Sequence, residues 1–177
     1  NSLAYPISTT VLEKIEQIQI LACGTSRHAA MVGAYLLEQF SGVSTKVFFA
    51  SEFRYAPPPL SPNTLTIGVS QSGETADTLA ALRMEKDRRD SIEDANFSFH
   101  HLGITNRVDS SFGRELENVI DIGSGIEIGV AATKTFLGQM LSFYGLTLLF
   151  ASHRKKRTPQ EILDLSNDLR LIPKQQT

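Results

Sequence analysis

The hexapeptide Ser70-Gln71-Ser72-Gly73-Glu74-Thr75 sets three hydroxyls, a side-chain amide and a glycine between an apolar run ending at Val69 and a helical pattern opening at Thr75. Hydroxyls and unpaired backbone N–H groups at a helix N-terminus attract anions, because the helix dipole is positive there. Gly73 permits close backbone approach to a ligand. Each hydrogen bond to a charged oxygen contributes about 1.5–3 kcal/mol, so a few of them hold a phosphate. The competing use is plain capping, for which Ser and Thr are favoured. A capping box from Ser72 requires Glu or Gln at position 75, where Thr75 stands, and one cap needs one hydroxyl rather than three. An anion cradle is therefore preferred, with capping as the alternative.

Cys23-Gly24-Thr25-Ser26 repeats the arrangement after an earlier apolar run, which suggests one ligand touched from two sides, Thr25 and Ser26 facing its sugar or phosphate group. Cys23 itself, without an activating neighbour, reads as a buried, inert thiol. A third glycine-rich junction runs from Gly123 to Lys134. Within it Glu127 and Lys134 have the types of a base and a Schiff-base amine, and equally those of a structural ion pair or subunit contact. His28, His100, His101 and His153 lack metal-ligand spacing, and no cofactor or metal is expected. The run from His153 to Arg157 reads as a solvated basic helix end.

Short apolar runs alternating with helical patterns must position these loops, which is the rhythm of an α/β fold with a parallel sheet. Five short, largely buried strands are predicted at Ile18 to Cys23, Lys46 to Ala50, Thr64 to Val69, His101 to Ile104 and Val119 to Ile122. Helices are predicted at Arg27 to Phe40, Thr75 to Arg88 and Thr133 to Ser152, the last apolar on more than one face. Pro57-Pro58-Pro59 and Pro62 make a stiff surface crossing, and the charge-dense stretch from Asp87 to Asn96 reads as an exposed loop. Thr158, Pro159 and Glu161 form a capping box opening a last helix, whose stripe of Ile162, Leu165, Leu169 and Ile172 either packs back on its own domain or leads into another, the second being preferred.

The whole is bounded by 177 residues, 41% of them hydrophobic, enough for one packed core. Seventeen basic against nineteen acidic residues argue against wrapping nucleic acid. One cysteine excludes an intrachain disulfide and suits a reducing, cytoplasmic setting. The apolar stretch within Leu141 to Ala151 is too short to span a bilayer, so no membrane partner is expected. The absence of an initiator Met suggests a fragment of something longer.

The stretches Leu21 to Ser26, Ser51 to Tyr55, Ser70 to Leu79 (SQSGETADTL) and Glu127 to Ala131 resemble the isomerase part of the glutamine:fructose-6-phosphate amidotransferases, within the sugar isomerase (SIS) domain family. The likeness covers most of Ile18 to Phe150. It implies a doubly wound five-stranded parallel sheet sandwiched by helices, with a lead-in over 1–17, the SIS domain over 18–153 and a connector helix over 154–177. It further implies that Ser70, Gln71, Ser72 and Thr75 bind the phosphate of fructose 6-phosphate or glucosamine 6-phosphate, in amino-sugar biosynthesis. Thr25 and Ser26 would contact the sugar, and backbone at Val130 would approach it. The family's ring-opening histidine, enolising glutamate and Schiff-base lysine belong to a second SIS domain, the tail or a neighbouring subunit. No catalytic residue is thus expected here, and Lys134 does not inherit the lysine's role. The implied partners are a second copy in a homodimer and the parent's glutaminase and second SIS domains. Ala132 stands where many relatives carry serine, and Arg27 where an aromatic is usual. A stand-alone phosphosugar-sensing module is the alternative reading; a flavin-binding fold fits poorly, since the best loop follows the third strand.

Overall fold

The structure, a computed structural model, describes residues 5–129 and 132–171. In chain order the elements are α1 (Thr9–Lys14), β1 (Gln17–Ala22), α2 (Gly24–Leu36), β2 (Ser44–Phe49), α3 (Ala50–Phe53), β3 (Thr64–Ser70), α4 (Ala76–Asp90), β4 (His100–Thr105), α5 (Ser111–Glu115), β5 (Val119–Asp121), α6 (Lys134–His153) and α7 (Pro159–Leu171). The strands make one all-parallel sheet in the order β2-β1-β3-β4-β5. All five lie where hydropathy predicts them, displaced by a residue or two at the ends because ladder pairing sets where a strand stops.

A parallel sheet needs cover on both faces, and β3, at its centre, is buried along its whole length. Alternation sends Leu65, Ile67 and Val69, with Ile18, Ile20 and Ala22 of β1, toward α1, α2 and α6. There Leu12, Ala30, Phe143, Leu146 and Phe150 complete one half of the core. On the opposite face Leu21 packs with Ala50, Phe53, Leu79, Leu82 and Phe112 from α3, α4 and α5. Gly68 makes that layer possible: a Cβ there would press into Leu82 and Phe112.

β1 leads through α2 to one side of the sheet, and β3 leads through α4 to the other. This reversal is the point where a crevice opens beyond the carboxyl ends of neighbouring strands. Ala22 pairs with Val69 there, so the loops following β1 and β3 emerge side by side.

Three local predictions are corrected. α4 continues to Asp90, so the stretch from Asp87 is partly helix, and Arg89 within it is buried. Glu85 explains this: it accepts from Arg89 Nε at 2.8 Å, Arg88 Nη1 at 2.9 Å and Gln19 Nε2 at 2.7 Å. Arg88 also reaches the Pro58 carbonyl at 2.7 Å, fastening the proline crossing to α4. The basic end of α6 is only partly solvated, since Arg154 donates to the Ile15 carbonyl at 2.8 Å and Arg157 lies over the Phe40 ring. Finally α6 as a whole is long and apolar enough to cross a membrane by length and composition, although Phe143, Leu146 and Phe150 are buried in the domain core.

The last helix opens as its sequence predicts, with Thr158 N–H to Glu161 Oε2 at 2.7 Å and Glu161 N–H to Thr158 Oγ1 at 3.2 Å. Its stripe is half-buried, flanked by apolar grooves of about 320 and 630 Å³ along α6 that do not include the hydroxyl loops. Ile172 lies outside the described residues.

Candidate functional site

At the end of β3 the buried Ser70 braces its own loop. Its Oγ accepts from Gly73 N–H at 3.0 Å and lies 2.7 Å from Thr75 Oγ1. Ser72 Oγ accepts from Glu74 N–H at 3.1 Å. Thr75 occupies the N-cap position of α4, yet its side chain makes no capping bond. The hydroxyls therefore shape the turn and leave the first-turn N–H groups of α4 without a side-chain acceptor among the described residues.

The loop after β1 is built alike. Cys23, a half-buried free thiol, is the N-cap of α2 and makes no side-chain cap bond. Thr25 is exposed in the first turn, and Ser26 Oγ accepts from Gln139 Nε2 at 2.9 Å, which fixes it against α6. The Arg27 guanidinium lies 3.8 Å from the centre of the Phe49 ring.

Two other helix N-termini on this side are already occupied by carboxylates. Glu74 accepts from the N–H and the hydroxyl of Ser111, each at 2.7 Å, at the start of α5. These Ser111 bonds, helped by the charge of Arg114, hold its pKa below the ordinary value. Glu127 accepts from the N–H groups of Thr133 at 2.9 Å and Lys134 at 3.0 Å, and from the hydroxyls of Thr133 and Thr135, at the start of α6. Its pKa falls to about 2, the Thr135 hydroxyl contributing most and the Thr133 N–H next. Lys134 Nζ donates to the Ile126 carbonyl, so the Glu127 carboxylate meets the Lys134 backbone N–H and not its ammonium group. Both are structural ties, and the suggestion of a base and a Schiff-base amine is set aside.

The electrostatic result is selective. Carboxylates from Glu74 and Glu127 already cap α5 and α6, whereas among the described residues no carboxylate caps α2 or α4, which flank the crevice between β1 and β3; the one acidic residue in the first turn of α4, Asp77, is paired with Arg54 at 2.9 Å. A ligand anion is favoured at the N-termini of α2 and α4.

The loops are tied to one another. The Gln71 carbonyl accepts from Asn106 N–H at 3.1 Å and Thr105 Oγ1 at 3.3 Å. Gln71 Nε2 reaches Glu127 Oε2 at 3.4 Å. Thus Ser70, Gln71, Ser72 and Thr75 form one cluster, with Thr25 and Ser26 on the adjacent loop; Val130 lies outside the described residues. Sequence reasoning overlooked Gln139 and Asn106. Gln139 carries a faint signal, the one side-chain amide in a largely apolar helix; Asn106 follows a strand, where any turn residue would be unremarkable. Among the described residues no group of three or more His, Cys, Asp or Glu side chains is placed to hold a metal.

A family model described as "SIS domain" matches residues 11–149. Glutamine--fructose-6-phosphate aminotransferase [isomerizing] of Nostoc sp. (strain PCC 9229) is 56% identical over 161 residues, covering 90% of this chain and 26% of that protein. The enzyme of the same name from Methanosarcina acetivorans is 42% identical over 169 residues, covering 96% and 26%. The chain thus spans about a quarter of the length of these curated relatives. Among solved structures, the C-terminal domain of glucosamine-fructose-6-phosphate aminotransferase from Francisella tularensis superposes with a TM-score of 0.85 at 35% identity, covering 93% of this chain and 44% of that one. A glucosamine-6-phosphate deaminase from Thermotoga maritima shares the fold at 23% identity and a TM-score of 0.68, covering 87% and 44%. With a matching model over most of its length and a five-stranded parallel sheet wound on both sides, the chain belongs to the SIS domain family.

Proposed function

We propose that the crevice between the loops after β1 and β3 binds a phosphosugar, fructose 6-phosphate or glucosamine 6-phosphate, and that the chain is the first SIS domain in the isomerase half of a glutamine–fructose-6-phosphate aminotransferase. The names and identities of its relatives support the second part. The observation that carries the first is the pair of uncapped helix N-termini, α2 and α4, beside helices whose N-termini already hold Glu74 and Glu127. The hydroxyl bonding suits a phosphate. Gly73 N–H donates to Ser70 Oγ; with the Ser70 proton on Thr75 Oγ1, the Thr75 proton is left for a phosphate oxygen. Ser72 accepts from Glu74 and keeps its own proton to donate. Gln71 joins these hydroxyls at the phosphate, while Ser26, whose oxygen accepts from Gln139, donates with Thr25 toward the sugar, with Val130 as the remaining sugar contact.

Ring opening and amination then fall to the rest of the parent enzyme, toward which residues 154–177 lead. The parent works in the cytoplasm, as a homodimer whose contact includes the open Leu137 and Leu141 face of α6. Calorimetry with fructose 6-phosphate tests the site. Thr75→Ala and Ser72→Ala should each weaken binding about ten-fold, the loss of one charge-assisted hydrogen bond. Unchanged affinity in both variants contradicts the assignment, and turnover of fructose 6-phosphate with ammonia by this chain alone contradicts the division of labour.

A further inference from the structure

Between β5 and α6, residues 122–133 form neither helix nor strand among those described. Side-chain packing does little to hold this loop, since Ile126 and Ile128 are 83% and 96% exposed. Gly123 and Gly125 take left-handed φ values of +61° and +67°, a path available to glycine at little cost but not self-supporting. Hydrogen bonds therefore set its position: Asp121 Oδ1 accepts from Gly123 N–H at 2.9 Å, Ser124 Oγ donates to the Lys134 carbonyl at 3.2 Å, Lys134 Nζ donates to the Ile126 carbonyl, and two further side chains each make more than one bond. Glu127 ties the far end to α6, as described above. Asn106 ties the near end, and uses both ends of its amide to do so: Nδ2 donates to the Gly125 carbonyl at 2.7 Å, and Oδ1 accepts from Ser124 N–H at 2.9 Å. Its backbone N–H meanwhile donates to the Gln71 carbonyl in the Ser70–Thr75 loop at 3.1 Å.

We infer that Asn106 is a positioning residue for the phosphosugar: its side chain fixes the 122–129 segment as the sugar-side wall at a set distance from the phosphate cradle. The inference rests on the phosphosugar reading. The division between its two attachments makes it separable from a general structural role. A side-chain substitution removes both bonds to the wall and leaves the backbone bond to Gln71, so the wall should loosen while the cradle stays formed. A ligand that touches both should suffer; one that touches only the cradle should not.

The test uses the full 177-residue chain, with fructose 6-phosphate and inorganic phosphate as probes in calorimetry and amide hydrogen exchange on the free protein. Asn106→Ala should weaken fructose 6-phosphate about ten-fold and change inorganic phosphate less than about two-fold. Exchange should accelerate over 123–129 and not over 70–78. Asn106→Asp keeps the acceptor for Ser124 but sets a carboxylate against the Gly125 carbonyl, and should act in the same direction. Equal losses for both probes, or undiminished fructose 6-phosphate affinity in both variants, overturn the inference while leaving the phosphosugar reading intact. Failure of the unaltered chain to bind fructose 6-phosphate, with faster exchange over 123–129 in the variants, overturns that reading and takes the positioning role with it.

Discussion

Gly73 decides whether the hydroxyl loop can close at all. Its φ of +65° suits glycine, and a Cβ on it would overlap Ser110 Oγ and crowd Thr105 Oγ1. Gly73→Ala should cost about 1–3 kcal/mol through the combined strain, lowering the melting temperature by roughly 3–10 °C, with loss of phosphosugar affinity. Thermal melts and calorimetry on the same samples check this, and an unchanged melt contradicts it. At this scale the sequence was most informative, because the residue types around Ser72 are themselves the chemistry. What it concealed was direction. Ser70 binds inward to Gly73 and Thr75. Ser26 is held by Gln139, which lies 113 positions away. Asn106 reaches Gly125 across 19 positions. No local pattern encodes such partners, which exist only after the sheet has formed.

Helices and strands were legible where burial follows periodicity and obscured where charge is buried. α4 carries Glu85 and Arg89 with side chains only 1% exposed, which a reading by hydropathy assigns to solvent. The N-termini were legible in part. The capping box at Thr158 is a local signal, whereas Glu74 caps α5 across 37 positions and Glu127 caps α6 through a glycine-rich loop. The Glu127 cap makes a pH prediction. Its carboxyl has a pKa of about 2 in the fold against 4.5 ordinarily, so the unfolded chain binds the proton more readily. The stabilisation is present in full above about pH 4.5 and is lost as pH falls toward 2. Glu127→Gln should therefore be less stable than the unaltered chain at pH 6, with the difference shrinking as pH falls through that window. Urea unfolding at a series of pH values measures it, and a difference independent of pH contradicts the capping role.

For the molecule as a whole, alternation of short apolar runs with helical patterns disclosed a parallel sheet, but not the order of its strands. Order depends on which edges pair, and the sequence of Ile18 to Ala22 does not distinguish a central strand from an edge. The observed order places β1 beside β3 with crossovers running opposite ways, and so turns two modest loop signals into one crevice. At a distance from that crevice, Glu85 gathers Gln19 of β1, Arg88 and Arg89 of α4 and, through the arginines, Pro58 and Ser61 of the crossing. Removing one partner of such a buried pair typically costs about 3–5 kcal/mol, because the other charge is left without compensation. Arg89→Met should shift the urea midpoint accordingly, with fructose 6-phosphate affinity of the folded protein preserved; a change below about 1 kcal/mol contradicts the role. The central claim is that an anion enters at the N-termini of α2 and α4 and not at those of α5 and α6. Backbone amide NMR during titration with fructose 6-phosphate tests it most directly. The account predicts that the largest saturable shifts fall on Gly24 to Arg27 and Ser72 to Asp77; largest shifts on Ser111 and Phe112 or on Lys134 and Thr135, or no saturable shift, would contradict it.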